Sequence, residues 1–116
     1  MVEHGRVHDP AAVAKARKRL LPAAAESLLR PLSAALCDPV RLKIVLALSG
    51  SELTVKDLAR VIGRSQSVTS QHLRVLRDIG AVTPHRIGRR VVYSLAPDGL
   101  GPPLRRVLTT LARVAN

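Results

Sequence analysis

The sequence predicts a mainly α-helical domain carrying one small β-hairpin, an α+β class. Apolar residues recur at helical spacing in several separate runs, bounded by Asp-Pro or Ser/Thr caps and by glycine stops. One stretch, "AVTPHRIGRRVVYSL", alternates instead and holds a glycine where a hairpin would turn. The chain has 116 residues, 47 % of them apolar, which suits one domain with one modest core.

The elements follow in order. Residues 1–9 read as a flexible tail. In "DPAAVAKARKRLL", Asp9 is a helix cap and Pro10 takes the first helical position, so a basic N-terminal helix is expected over 10–22, stopped or kinked at Pro22. Its polar side carries Lys15, Arg17, Lys18 and Arg19. A second helix is expected from about Ala23 to Leu36, with Leu28, Leu29, Leu32 and Leu36 at helical spacing; Pro31 should kink or split it. Asp38 and Pro39 start a third helix that Gly50 ends, burying Val40, Ile44, Val45 and Leu48.

In "LTVKDLARVIG", Thr54 caps, Asp57 can close a capping-box-like pair, and Leu58, Val61 and Ile62 face inward. Gly63 stops this helix, and only Arg64 separates it from the next cap, Ser65. The helix that follows ends at Gly80 and turns Thr69, Leu73, Leu76 and Ile79 inward. Two helices joined by so tight a glycine turn read as a helix-turn-helix. Strands are expected near 81–86 and 90–95, with the turn near Ile87-Gly88-Arg89 and Arg86, Arg89 and Arg90 clustered at its tip. Residues 97–103 form a connection. A last helix carries Leu104, Val107, Leu108, Leu111 and Val114 on one stripe. The core of the domain is then 23–96, and 97–116 is a linker with a terminal helix. The stripe is long for so small a core and is read, with Leu28, Leu29 and Leu32, as a surface for a partner subunit.

Charge narrows the function. The balance of 19 Lys+Arg against 8 Asp+Glu gives +11, which calls for a polyanion. Single strands and RNA loops are usually held by bases stacked on aromatic rings. This chain has only Tyr93, with no Phe and no Trp, so duplex DNA fits better. The second helix of the helix-turn-helix presents Gln66, Ser67, Ser70, Gln71 and Arg74 outward, free of acid until Asp78, a composition suited to base edges. Arg64, Arg86, Arg89 and Arg90 are the expected phosphate contacts. No nucleophile–base set, phosphate loop or metal-ligand spacing points to an enzyme. A single cysteine, no signal-peptide pattern and no apolar run of membrane-spanning length lead to an expected cytoplasmic location.

Three stretches together resemble the ArsR/SmtB family of bacterial winged-helix repressors: "LSAALCDPVRLKIVLAL", "SELTVKDLARVIGRSQSVTSQHLRVLRDIGAV" and "RIGRRVVYSL". The resemblance implies a winged helix-turn-helix with an extra N-terminal helix. It also implies a homodimer through the first and last helices, acting as a repressor on a near-palindromic operator. Metal sensors of the family often hold two cysteines within the stretch that here reads "ELTVKDL"; Thr54 and Lys56 stand there, and neither a hydroxyl nor a cation is a soft-metal ligand. A second family site uses Asp, His and Glu on the last helix, and residues 104–116 contain none of these. No cofactor is therefore expected, and the effector stays open.

Two alternatives remain beside this reading. One is a sequence-tolerant architectural DNA coat. The other is a metal or redox sensor using His4, His8 and Cys37, which would need the tail to fold back onto the second helix. The plainer expectation for Cys37 is a small, partly buried apolar residue. His72 is expected to pack or hydrogen-bond, and His85 to help at a phosphate.

Overall fold

The computed structural model describes residues 8–116. Their elements run α1 (Pro10–Arg17), α2 (Ala23–Glu26), α3 (Leu29–Leu36), α4 (Pro39–Gly50), α5 (Val55–Ile62), α6 (Gln66–Asp78), β1 (Val82–Ile87), β2 (Arg90–Leu95) and α7 (Gly101–Ala115). Residues 1–7 of the expected tail, His4 among them, lie outside the described residues; His8 is exposed.

Asp9 Oδ1 accepts the Ala12 N–H at 3.0 Å and starts α1. The helix ends at Arg17, five residues short of Pro22. It buries no side chain, and so short a helix without packing is marginal in water. The expected helix over 23–36 is two helices. Pro31 has no N–H to give the Ser27 carbonyl, and its ring would collide with that carbonyl, so the break falls at Ser27-Leu28. Pro31 then occupies the first turn of α3, where an N–H has no helical partner to lose.

Asp38 Oδ1 accepts the N–H groups of Val40 (2.8 Å) and Arg41 (3.1 Å) at the start of α4. The Arg41 N–H is the main reason the Asp38 carboxyl is held below the usual carboxylate range; partial burial opposes it, and the Val40 N–H and the charges of His72 and Arg41 assist. A depressed folded-state pKa means that the ionised group stabilises the fold above the unfolded value of about 4, and that this contribution is lost as pH falls through the folded value. Urea midpoints should therefore drop as pH falls below about 4. The drop should be shallower in Asp38→Ala, and equal slopes in the two proteins would refute the assignment.

The core gathers Ile44, Val45 and Leu48 of α4, Leu58 and Ile62 of α5, Leu73 and Leu76 of α6, and Leu104 and Leu108 of α7, closed by Val82 and Leu95 of the hairpin. Val61 points outward, 63 % exposed, against expectation; Ala59 takes the inward place beside Leu58 and Ile62.

β1 and β2 pair antiparallel, from Val82 opposite Leu95 to Ile87 opposite Arg90. The two-residue turn has positive φ at Gly88 (64°) and none at Arg89, the pattern of a hairpin turn that needs glycine at its first central position. β2 also pairs with Leu53 on its free edge: Leu53 N–H to Tyr93 O at 3.1 Å and Tyr93 N–H to Leu53 O at 2.8 Å. That bridge anchors the hairpin to the start of α5 and was not legible in the sequence.

α7 starts at Gly101, three residues before Leu104, the expected first residue. Pro102 and Pro103 sit in its first turn, which tolerates proline. The chain is elongated. Its radius of gyration is 19.1 Å, against about 13 Å for a compact chain of this length.

Candidate nucleic-acid interface

The helix-turn-helix is set by its caps. Thr54 Oγ1 accepts the Asp57 N–H (3.2 Å) and starts α5; the return half of the capping box does not form among the described residues. At the other end the Arg64 N–H reaches Ala59 O (3.1 Å) and the Gly63 N–H reaches Arg60 O (3.3 Å), with Gly63 at φ 71°. This is a complete Schellman stop, and it needs the left-handed conformation that glycine adopts freely. Ser65 Oγ then accepts the Val68 N–H (3.1 Å) and starts α6, so the turn has no slack. Thr69, fully buried, donates its hydroxyl to Ser65 O at 2.7 Å, and its polar atom is satisfied within the motif.

Arg41 fixes α6 against the rest of the chain. Its Nε donates to His72 Nδ1 (3.2 Å) and its Nη1 to Ala34 O (3.1 Å), tying α6 and α3 to α4. The sequence reading missed this residue, because a partner 31 positions away leaves no local pattern. His72 is thus hydrogen-bonded, as expected.

Gln66, Ser67, Ser70, Gln71 and Arg74 are all exposed and none uses its side chain in a hydrogen bond among the described residues. At about 100° per residue they cover an arc of about 140° on α6, away from Thr69, Leu73 and Leu76. Arg64, Arg86, Arg89 and Arg90 are exposed as well, and none is ion-paired among the described residues. The tip is less of a cluster than its sequence suggests. Arg86 stands opposite Val91 and Arg90 opposite Ile87, so the two guanidiniums leave opposite faces of the hairpin. His85 Nε2 sits against the Glu52 carboxylate rather than standing free for a phosphate, a surface contact of small energetic weight.

The residues expected at a subunit surface divide. Leu104 (0 % exposed) and Leu108 (8 %) belong to the chain's own core. Leu32 and Val107 are half-buried, while Leu28, Leu29, Leu111 and Val114 are exposed, the last two at 55 % and 78 %.

Cys37 is exposed, not partly buried, and accepts a 3.4 Å bond from Ser33 Oγ at the end of α3. Thr54 is engaged as a cap and Lys56 is an exposed cation, so these two side chains do not fit a soft metal. Among the described residues no three His, Cys, Asp or Glu side chains group closely enough to hold a metal ion, and no helix is long and apolar enough to cross a membrane.

The profile of bacterial regulatory proteins of the arsR family matches residues 38–83. The transcriptional regulator NmtR of Mycobacterium tuberculosis is 51 % identical over 61 residues, 53 % of this chain and 51 % of NmtR. The chain spans about half the length of the first curated relatives it matches. The regulator YgaV of Escherichia coli is 37 % identical over 81 residues, 69 % of this chain and 78 % of YgaV. Among solved structures, the homodimeric winged helix-turn-helix DNA-binding domain Mb0332 of Mycobacterium bovis superposes with a TM-score of 0.63 at 26 % identity, covering 84 % of this chain and 89 % of that domain.

Proposed function

This chain belongs to the ArsR family of bacterial regulatory proteins, and from that premise we propose that it is a homodimeric, sequence-specific repressor of duplex DNA. It acts in the cytoplasm on a near-palindromic operator and uses neither of the metal sites its sequence lacks. One observation carries this: the acid-free, hydrogen-bonding face of α6, without side-chain partners among the described residues, on a helix started by the Ser65 cap and held by Arg41. Such a face is built to read base edges. Gln71 and Gln66 suit adenine and Arg74 suits guanine. Arg64, Arg86, Arg89 and Arg90 hold phosphates and set position. The homodimeric state of Mb0332 supports a dimer here, through Leu28, Leu29, Leu111 and Val114.

Two variants separate the roles. Gln71→Ala should narrow the operator-to-scrambled affinity ratio by about 1–3 kcal/mol, whereas Arg89→Ala should weaken binding to both duplexes alike. Gel-shift titrations, on an operator located by footprinting, measure both. Equal losses on the two duplexes for Gln71→Ala would sink its base-reading role. A wild-type ratio near one would favour an architectural coat, since specific readers exceed roughly a thousandfold.

A further inference from the structure

Lys56, Arg60, Arg64 and Gln66 line a cleft of about 380 Å³ that includes Ala59. Local structure assembles it. Lys56 and Arg60 are four apart on α5 and share a face. The Schellman turn at Gly63 brings Arg64 round beside them, and Gln66 opens α6. Ala59, 5 % exposed, offers only a methyl group, which leaves room between the long side chains.

Three cations converge here, and none is paired with an acid among the described residues. Among the described residues the acidic side chain in contact with a basic one is Glu52, against His85 on the hairpin side. Asp57, the acid of α5, sits about 100° round the helix from Lys56 and is not in the cleft. Lys56 also lies in the first turn of α5, where the helix dipole disfavours a positive charge. Like charges gathered in this way repel one another until an anion enters between them.

We propose that this cleft clamps a phosphodiester of the DNA strand bordering the groove that α6 reads. The inference rests on the base-reading assignment of α6 and adds Lys56 and Arg60 to its contacts. Continuity selects the backbone as the occupant. Gln66 belongs both to the cleft and to the base-reading arc, so a group seated in the cleft lies directly beside the bases. The cleft is open, so a strand can run through it. With the wing arginines, it gives the protein phosphate contacts from both the helix-turn-helix and the hairpin.

The test uses the full chain and two double variants, Lys56→Ala with Arg60→Ala and the charge-preserving Lys56→Arg with Arg60→Lys. Affinity is measured against salt concentration on operator and scrambled duplexes. The alanine variant should show a log–log slope shallower by about 1–2 on both duplexes, about 0.9 per phosphate contact removed. Its operator-to-scrambled ratio should stay unchanged, and the charge-preserving variant should keep the wild-type slope. An unchanged slope in the alanine variant, with the ratio intact, would overturn the clamp alone. A wild-type ratio near one would overturn base reading by α6 while the slope still reports on the clamp. Inorganic phosphate, titrated alone with thermal shift as readout, supplies the last arm. Protection of the wild type but not of the alanine variant, together with an unchanged DNA slope, would assign the cleft to a free anion and overturn the backbone assignment.

Discussion

Replacing Gly101 by alanine is expected to cost about 3 kcal/mol or more and to lower the thermal midpoint by roughly 10 °C or more. A Cβ at this position would stand 1.6 Å from the Ala96 carbonyl oxygen and 2.6 Å from its carbon, both backbone atoms that no rotamer change can move. The surrounding chain is pinned. The Ala96 N–H bonds to Ala81 O (2.9 Å), the Leu100 N–H to Gly80 O (3.1 Å), and the Gly101 N–H to Asp98 O (3.1 Å). Relief would need α7 to shift as a unit, which would pull Leu104 and Leu108 from the core. Gly50→Ala is the control, because nothing lies within 4 Å of its would-be Cβ. Melting followed by circular dichroism should separate the two, and a Gly101→Ala midpoint within about 3 °C of wild type, well under 1 kcal/mol, would remove the close approach as a constraint.

Leu111→Glu combined with Val114→Glu should leave the monomer folded, abolish the dimer, and reduce operator affinity by about 10²-fold or more. Two linked half-sites bind with an avidity that one alone lacks. Both side chains are exposed in the single chain, so new carboxylates there meet water unless a second copy covers them. Leu104→Ala should behave oppositely. It empties a fully buried site and should destabilise the fold by about 2–5 kcal/mol. Sedimentation equilibrium with thermal melts distinguishes the cases. A double variant that still sediments as a dimer would remove α7 from the proposed interface.

The sequence-level errors share a cause. The pattern Leu104, Val107, Leu108, Leu111 and Val114 is one stripe by periodicity, yet the core ends after Leu108 and the last turns of α7 stand clear of it. Val61 and Ala59 flank Leu58 and Ile62 on opposite sides of α5, and only the packing around the helix decides that Ala59 is covered and Val61 is not. In sequence Lys56 reads only as a residue unfit for a soft metal and Arg60 carries no signal, because their convergence with Arg64 needs the turn geometry. Cys37 was expected to be partly buried by residue type and is exposed at a helix end.

What the sequence by itself determined was everything written in short-range chemistry. Asp9, Asp38, Thr54 and Ser65 cap helices, Gly63 and Gly88 supply left-handed turns, Pro31 splits a helix, and α6 carries an acid-free polar face. Each needs only residues within about four positions, the reach of a capping bond or one helical turn. The tertiary structure alone decided which leucines the chain keeps for itself, where α7 begins, how Leu53 holds the hairpin, and how Arg41 seats α6 against α3 and α4. Those outcomes depend on residues tens of positions apart meeting in space, and no local pattern encodes such a meeting.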